Sequence, residues 1–270
     1  MVEGEKMDLK IENKVALVTG STQGIGFATA KKLCEEGATI ILNGRSAKSV
    51  QNAIEKIKDG QKEAKVSGVV ADLKDEKGCS ELISKLDDVD ILINNLGIFE
   101  PKDFTQISND DWLHIFNVNV MSGVRLSQHY LPKMLEKNWG RIVFISSESA
   151  LQIPKEMIHY GVTKSAQVSL SRGIAEITKE TGVTSNSIIV GPTNSEGVSQ
   201  FMEDLAKEQG KTFEEIEKFF FDEVRPTSLI QRFCKVEEIA NMVVYISSAN
   251  ASATNGALLR VDGGVVQSAF

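Results

Sequence analysis

Tyr160 and Lys164 lie four residues apart, a spacing that puts a phenol and an ammonium on one face of a helix. Such a pair can pass a proton to or from a substrate oxygen, and a nearby hydroxyl can steady charge developing there. Ser147, thirteen residues before the tyrosine, ends the run Ile145-Ser146-Ser147 and so is expected at a strand terminus. A Y-x-x-x-K pair alone is a weak signal, because many surface helices contain one by chance. A second feature stands near the N-terminus, where Val15-Ala16-Leu17-Val18-Thr19-Gly20 runs into Ser21-Thr22-Gln23-Gly24-Ile25-Gly26. An apolar strand there breaks into a glycine turn and then a helix. The bare N–H groups and positive dipole end of such a helix suit a pyrophosphate.

These residues need elements that bring strand ends and helix starts to one edge. Apolar, β-branched runs at 15–19, 39–43, 66–71, 89–94, 141–146, 184–190 and 257–261 read as strands. Helical patterns at about 24–36, 46–58, 75–86, 108–137, 157–181 and 235–248 alternate with them. Glycines in Glu36-Gly37 and Thr181-Gly182 predict left-handed helix ends. The alternation predicts an α/β fold: a doubly wound, Rossmann-type, predominantly parallel sheet of about seven strands with helices on both faces. Ligands then sit at the carboxyl ends of the strands. No linker or repeat is visible, so residues 1–270 are expected to form one dinucleotide-binding domain.

One segment departs from the pattern. Residues 195–226 read as two helical pieces broken at Gln209-Gly210, the second opened by the capping box Thr212-x-x-Glu215. Phe213, Phe219, Phe220 and Phe221 make it unusually apolar for a connection. Two readings stand: a substrate lid with an apolar inner wall, or an extra helical layer packed on the core.

Composition narrows the class further. A net charge of −7 argues against nucleic acid, whose phosphates need a basic face. No run approaches the ~18 apolar residues of a membrane span. The start, Met1-Val2-Glu3-Gly4-Glu5-Lys6, lacks a signal peptide's apolar stretch. A soluble chain in the cytoplasm, with no membrane partner, is expected. Cys34, Cys79 and Cys234 are odd in number and widely spaced, which predicts reduced thiols packed in helices rather than disulfides. His114, His129 and His159 have no ligand spacing, and no metal is expected.

Thr19-Gly20-x-x-x-Gly24-x-Gly26 and Tyr160-x-x-x-Lys164, with Ser147 at its interval, resemble the signature of the short-chain dehydrogenase/reductase family. The resemblance covers nearly the whole chain. It implies that Gly20, Ser21, Thr22, Gln23, Gly24, Ile25 and Gly26 line a dinucleotide. At the second strand's end Gly44 takes the place of the family's NAD-selecting Asp and Arg45 follows it, which implies NADP(H) over NAD(H). Ser46 and Ser21 are expected to add hydroxyls, whereas Gln23 stands where many NADP-preferring relatives carry a second basic residue. Asp72-Leu73 resembles the adenine-contacting pair. Asn94-Asn95-Leu96-Gly97 resembles N-N-A-G with Leu for Ala, and assigns Asn95 and Gly97 to the cofactor. Val190-Gly191-Pro192-Thr193-Asn194-Ser195 resembles P-G-x-x-x-T with Val for Pro and Ser for Thr, which implies Gly191 and Thr193 at the nicotinamide and the Ser195 hydroxyl within reach of its carboxamide or the phosphate.

By the same resemblance Asn119, Ser147, Tyr160 and Lys164 form a catalytic set for hydride transfer between the nicotinamide and a carbonyl or secondary alcohol. Lys164 is expected to bond the nicotinamide ribose and to lower the phenol from its usual pKa of about 10. Asn119, with Asn117 its rival, is expected to hold a relay water on its backbone carbonyl. The substrate stays open among 3-oxoacyl thioesters, small ketones, sugars and steroids, with Phe99, Glu148, Gln152 and Met157 expected around it. The alternative from another class is a non-catalytic NAD(P)-sensing regulator on the same fold. Assembly of relatives through their long helices, here about 108–137 and 157–181, implies a homo-oligomer, a tetramer or a dimer.

Overall fold

Every residue of β1 (Val15–Val18) is apolar, as suits a strand covered on both faces. In the computed structural model, which describes residues 7–269, β1 lies in the interior of a seven-stranded parallel sheet. The polar start Met1–Lys6 and Phe270 lie outside the described residues. Around β1 stand β2 (Thr39–Gly44), β3 (Val66–Val70), β4 (Ile91–Asn94), β5 (Gly140–Ser147) and β6 (Val183–Val190). Two further strands, β7 (Thr193–Asn194) and β8 (Cys234–Lys235), pair with each other, and β9 (Leu258–Val261) completes the main sheet in the order β3-β2-β1-β4-β5-β6-β9. Successive connections leave β1 and β4 in opposite directions, which opens a crevice at their carboxyl ends.

The helices follow the strands as expected: α1 (Gly24–Glu35), α2 (Ala47–Gly60), α3 (Glu76–Lys85), α4 (Asn109–Phe116), α5 (Ser122–Glu136) and α6 (Ile158–Ile177). After β7 come α7 (Glu196–Gln209), α8 (Phe213–Phe219) and α9 (Val236–Ile246). Period-two alternation divides the core. Ala16 and Val18 pack with Leu33 of α1 and Val243 of α9, while Leu17 packs with Leu82 of α3 and with Leu126 and Tyr130 of α5. No helix among the described residues is long and apolar enough to cross a membrane.

Four details differ from the sequence reading. The long helix at 108–137 is interrupted at Asn117–Met121 by a wider π-type turn between α4 and α5. The left-handed residue after α6 is Glu180 (φ 63°), not Gly182; position 182 needs glycine because a Cβ there would collide with Asn138 O. Cys234 lies in a strand rather than a helix, although all three thiols are buried and free. The short β7–β8 pair was not foreseen, since two-residue strands carry no periodicity.

The 195–226 segment breaks at Gly210 (φ 64°), and Thr212 and Glu215 form both bonds of the capping box. Met202, Ala206, Ile216, Phe221 and Phe233 make a small core of their own. Phe220 stacks on Phe233 with centroids 5.2 Å apart, and Phe221 meets the same ring edge-on at 5.1 Å. Phe220 and Phe221 are therefore used for packing, while Phe219 stays half exposed.

At the amino end of β5, Arg141 is buried (1% exposed) without a carboxylate partner among the described residues. Its Nε donates to Ser248 O at 3.0 Å, and its Nη1 to Gly140 O and Gly182 O at 2.8 and 2.9 Å. Its guanidinium lies 4.7 Å from the Trp139 ring centroid, and burial pushes its pKa down to about 10. Arg141→Met keeps most of the volume but strands these carbonyls, so stability should fall by roughly 2–4 kcal/mol in a urea titration. Turnover should change little, because Ser147 lies ~20 Å away along the same strand. An unchanged midpoint would show that the carbonyls find other donors.

Candidate functional site

The glycine turn is held by contacts that leave no room for side chains. Gly20 and Gly24 have φ near +60°, the left-handed region. A Cβ on Gly26 would lie 2.5 Å from Asn95 Nδ2 and 2.7 Å from Gly20 O. Asn95 Nδ2 donates to Thr19 O (2.8 Å) and Gly20 O (3.1 Å), tying the end of β4 to the turn after β1. Leu96, the departure from Ala, would lie 3.3 Å from a Cβ on Gly20. Ser21 is fully buried, its Oγ donating to Val18 O and accepting from Asn43 N, so its hydroxyl is not offered to a phosphate here. Thr22, Gln23 and Ile25 remain at least partly exposed along the rim.

The turn has the chemistry of an anion site. The Gly24 N–H donates at 2.7 Å to Oε2 of Glu196, the first residue of α7. Ser195, just before it, has no hydrogen-bond partner for its hydroxyl among the described residues, and its Cβ would sit 3.4 Å from a Cβ on Gly24. A carboxylate at a helix start marks where a phosphate oxygen fits. At the end of β2, a side chain at Gly44 would meet Thr22 Cγ2 at 2.5 Å, whereas Arg45 is exposed and makes no ion pair among the described residues. Ser46 caps α2 by accepting from Ser49 N at 3.2 Å. Asp72 pairs with Lys74 at 3.4 Å, and Leu73 is buried. Gly191 packs against the Asp262 backbone, and Thr193 Oγ1 donates to Gly191 O at 2.8 Å.

Ser147, Tyr160 and Lys164 converge beyond the carboxyl end of β5. Ser146 Oγ donates to Lys164 O at 2.9 Å, which docks α6 on the strand end. Lys164 Nζ donates to Ile145 O at 2.9 Å and to Gln167 Oε1 at 3.1 Å, and a Cβ on Gly97 would lie 3.2 Å from it. Tyr160 meets Phe99 edge-on at 6.2 Å. Lys164, expected to lower the Tyr160 pKa, is not among the groups that move it. Burial pushes the phenol up to about 12 against a hydrogen bond with Ser147, and pushes Lys164 down to about 8. The ammonium is turned to Ile145 O and Gln167, 5.6 Å from the phenol ring centroid.

Asn119 sits in the π-type turn, whose i to i+5 spacing loosens the backbone. Its side chain receives Ile98 N–H at 2.8 Å and donates to Ile98 O and Thr163 Oγ1. Its backbone carbonyl, expected to hold a water, accepts Gln167 Nε2 at 2.6 Å. One buried amide therefore bridges Asn119 to Lys164 where a solvent molecule was anticipated. Its rival Asn117 instead bonds Leu113 O and Arg125 on the outer side.

Three further residues escaped the motifs as partners in the site: Gln167, Glu196 and Arg225. Glu148, anticipated only as lining, is 4% exposed and accepts from Ser147 Oγ (2.9 Å), Ser149 Oγ and Arg225 Nε (2.8 Å). No motif marks a contact made across 77 residues, such as Glu148 to Arg225. Among the described residues no cluster of His, Cys, Asp and Glu could hold a metal.

Comparison with known proteins agrees with this architecture. Residues 14–206 match the family model described as short chain dehydrogenase. The chain is 48% identical to the uncharacterized oxidoreductase YvaG of Bacillus subtilis, over 98% of this chain and all of that one. It is 31% identical to the 3-oxoacyl-[acyl-carrier-protein] reductase FabG of Aquifex aeolicus, over 96% of this chain and all of that one. The crystal structure of L-sorbose reductase from Gluconobacter frateurii, complexed with NADPH and L-sorbose, superposes with a TM-score of 0.91 at 28% identity, covering 97% of this chain and all of that one. With a strand order, a glycine turn and full-length relatives all of one kind, the chain belongs to the short-chain dehydrogenase/reductase family of NAD(P)-dependent oxidoreductases acting on carbonyl and alcohol groups.

Proposed function

We propose that the protein is an NADP(H)-dependent reductase of a small ketone, with the corresponding secondary alcohol as product. The observation that carries this reading is the convergence of Ser147, Tyr160 and Lys164 beside the glycine turn, with Arg45 free at the end of β2. The L-sorbose reductase, similar along its whole length, was crystallised with NADPH, which supports the same cofactor here.

Gly20, Gly24, Ile25 and Gly26 present backbone to the pyrophosphate, Thr22, Gln23 and Ser195 flank it, and Arg45 with Ser46 takes the 2′-phosphate. Asp72 and Leu73 border the adenine; Asn95 and Gly97 shape the floor, and Gly191 and Thr193 the nicotinamide end. Bound there, NADP(H) supplies the hydride. The neutral Tyr160 hydroxyl delivers a proton to the substrate oxygen, and Ser147 Oγ stabilises charge on it. Lys164 holds the ribose while cationic, and Asn119 and Gln167 fix the position of Lys164. Arg225, at the close of the 195–226 segment, reaches Glu148 next to Ser147, which supports that segment as the wall or lid of the substrate site. Exposed Leu113 and Phe116 on α4, with Val162 and Ile177 on α6, support assembly through the long helices.

Three measurements test this reading. Tyr160→Phe removes only the acid, so kcat should fall by ~10²–10⁴ with NADPH affinity nearly unchanged; retention of a tenth of wild-type turnover, with hydride transfer rate-limiting, would exclude Tyr160 as the donor. Arg45→Asp should lower the NADPH-over-NADH preference by about tenfold or more, and an unaltered ratio would assign cofactor choice elsewhere. The third concerns pH. The Lys164 cation, with its pKa pushed down to about 8, is present below that pH and lost above it. NADPH affinity measured by fluorescence titration should weaken from pH 7 to 9 in the wild type and stay flat in Lys164→Met. A flat wild-type profile would remove the charge from cofactor binding.

A further inference from the structure

The one hydroxyl hydrogen of Ser147 is already engaged. Its Oγ donates to Glu148 Oε2 at 2.9 Å while accepting Ser149 N–H at 3.1 Å. Reduction of a carbonyl asks the same hydrogen to turn toward the substrate oxygen. Glu148 then loses a donor while only 4% exposed, and a buried carboxylate short of a donor is unfavourable. Its remaining donors, Ser149 Oγ on Oε2 and Arg225 Nε on Oε1, stay where they are. A hydroxyl on the substrate can supply the missing hydrogen.

We propose that Glu148 is a specificity-determining residue that selects substrates bearing a hydroxyl on the carbon next to the carbonyl, so that the preferred class is the neutral α-hydroxy ketones. The inference rests on the reductase reading above and deepens it. When the carbonyl oxygen takes the Ser147 hydrogen, the hydroxyl on the neighbouring carbon, two bonds from the reacting carbon, donates to Glu148 Oε2 in its place. A plain ketone restores no donor. Arg225 does not turn this wall into an anion site. Its Nε is held by Glu148, Glu156 approaches its Nη1 at 3.8 Å, and the guanidinium is only 11% exposed. Two carboxylates around one guanidinium leave the wall net negative, which suits a neutral hydroxyl donor and repels a carboxylate beside the carbonyl.

The test compares 3-hydroxy-2-butanone with 2-butanone, which differ by the one hydroxyl, using NADPH and the full-length protein. Because the hydroxylated ketone is intrinsically the more reactive, the readout is the change in the ratio of kcat/KM values between wild type and variant. Glu148→Gln keeps the shape and loses the charge, and Glu148→Asp keeps the charge and withdraws it by one methylene. Thermal melts and NADPH binding of both variants establish that each is folded. The ratio should fall by about 10–100-fold in Glu148→Gln, mostly through kcat/KM of the hydroxylated ketone, and by a similar sense in Glu148→Asp. Equal losses for both ketones would overturn the proposal and leave Glu148 as a residue that only orients Ser147. A wild type that binds NADPH and reduces neither ketone would instead overturn the small-ketone reductase reading, and the inference would fall with it.

Discussion

The approach of α1 to the turn before it governs what the rest of the molecule can do. At Gly26 a single methyl group would press on Asn95 Nδ2 and Gly20 O, so the start of the helix rests directly on backbone. Asn95 closes that contact from the far side by bonding Thr19 O and Gly20 O. Two residues later Gly97 leaves Lys164 its space, and the next amide, Ile98 N–H, fastens Asn119. The four residues Asn95 to Ile98 thus form a common wall. One side shapes the glycine turn and the other seats the lysine, and neither can shift without the other.

β5 gives this wall its fixed neighbour. All eight of its residues are buried, and both ends are secured by cations bonded to carbonyls rather than to carboxylates. Arg141 gathers three carbonyls at the amino end, and Lys164 takes Ile145 O near the other. Unpaired buried cations are tolerated only when fully hydrogen-bonded, and both show the expected lowering of pKa. Ser147 therefore projects from a rigid strand end, where small displacements of a reacting hydroxyl matter most.

Much of this was legible in the sequence where the signal is local. The Val15–Val18 run, the glycines at 20, 24 and 26, and the Thr212–Glu215 capping box each encode their geometry within a few residues. The period of Ala16, Leu17 and Val18 divides two core faces as alternation requires. The interval from Ser147 to Tyr160 was legible through its resemblance to the family's spacing rather than from any local pattern. The contacts that escaped are long-range and made by ordinary polar residues. Gln167 to Asn119 spans 48 residues and Gly24 to Glu196 spans 172. Nothing near Gln167 in sequence distinguishes it from a helix-surface glutamine; only the turn at Asn119 makes it a bridge. Glu180 escaped for a different reason, since a left-handed glutamate runs against propensity and is imposed by the chain's return into β6.

Glu196 joins two stretches of chain that lie far apart in sequence. Its carboxylate occupies the Gly24 N–H, and its backbone begins α7, so one residue ties the glycine turn to the segment that follows β7. Any other anion that takes the Gly24 N–H exchanges with that carboxylate. Thermodynamic reciprocity then makes the seating of Glu196 and the affinity of the glycine turn for another anion two readings of one equilibrium.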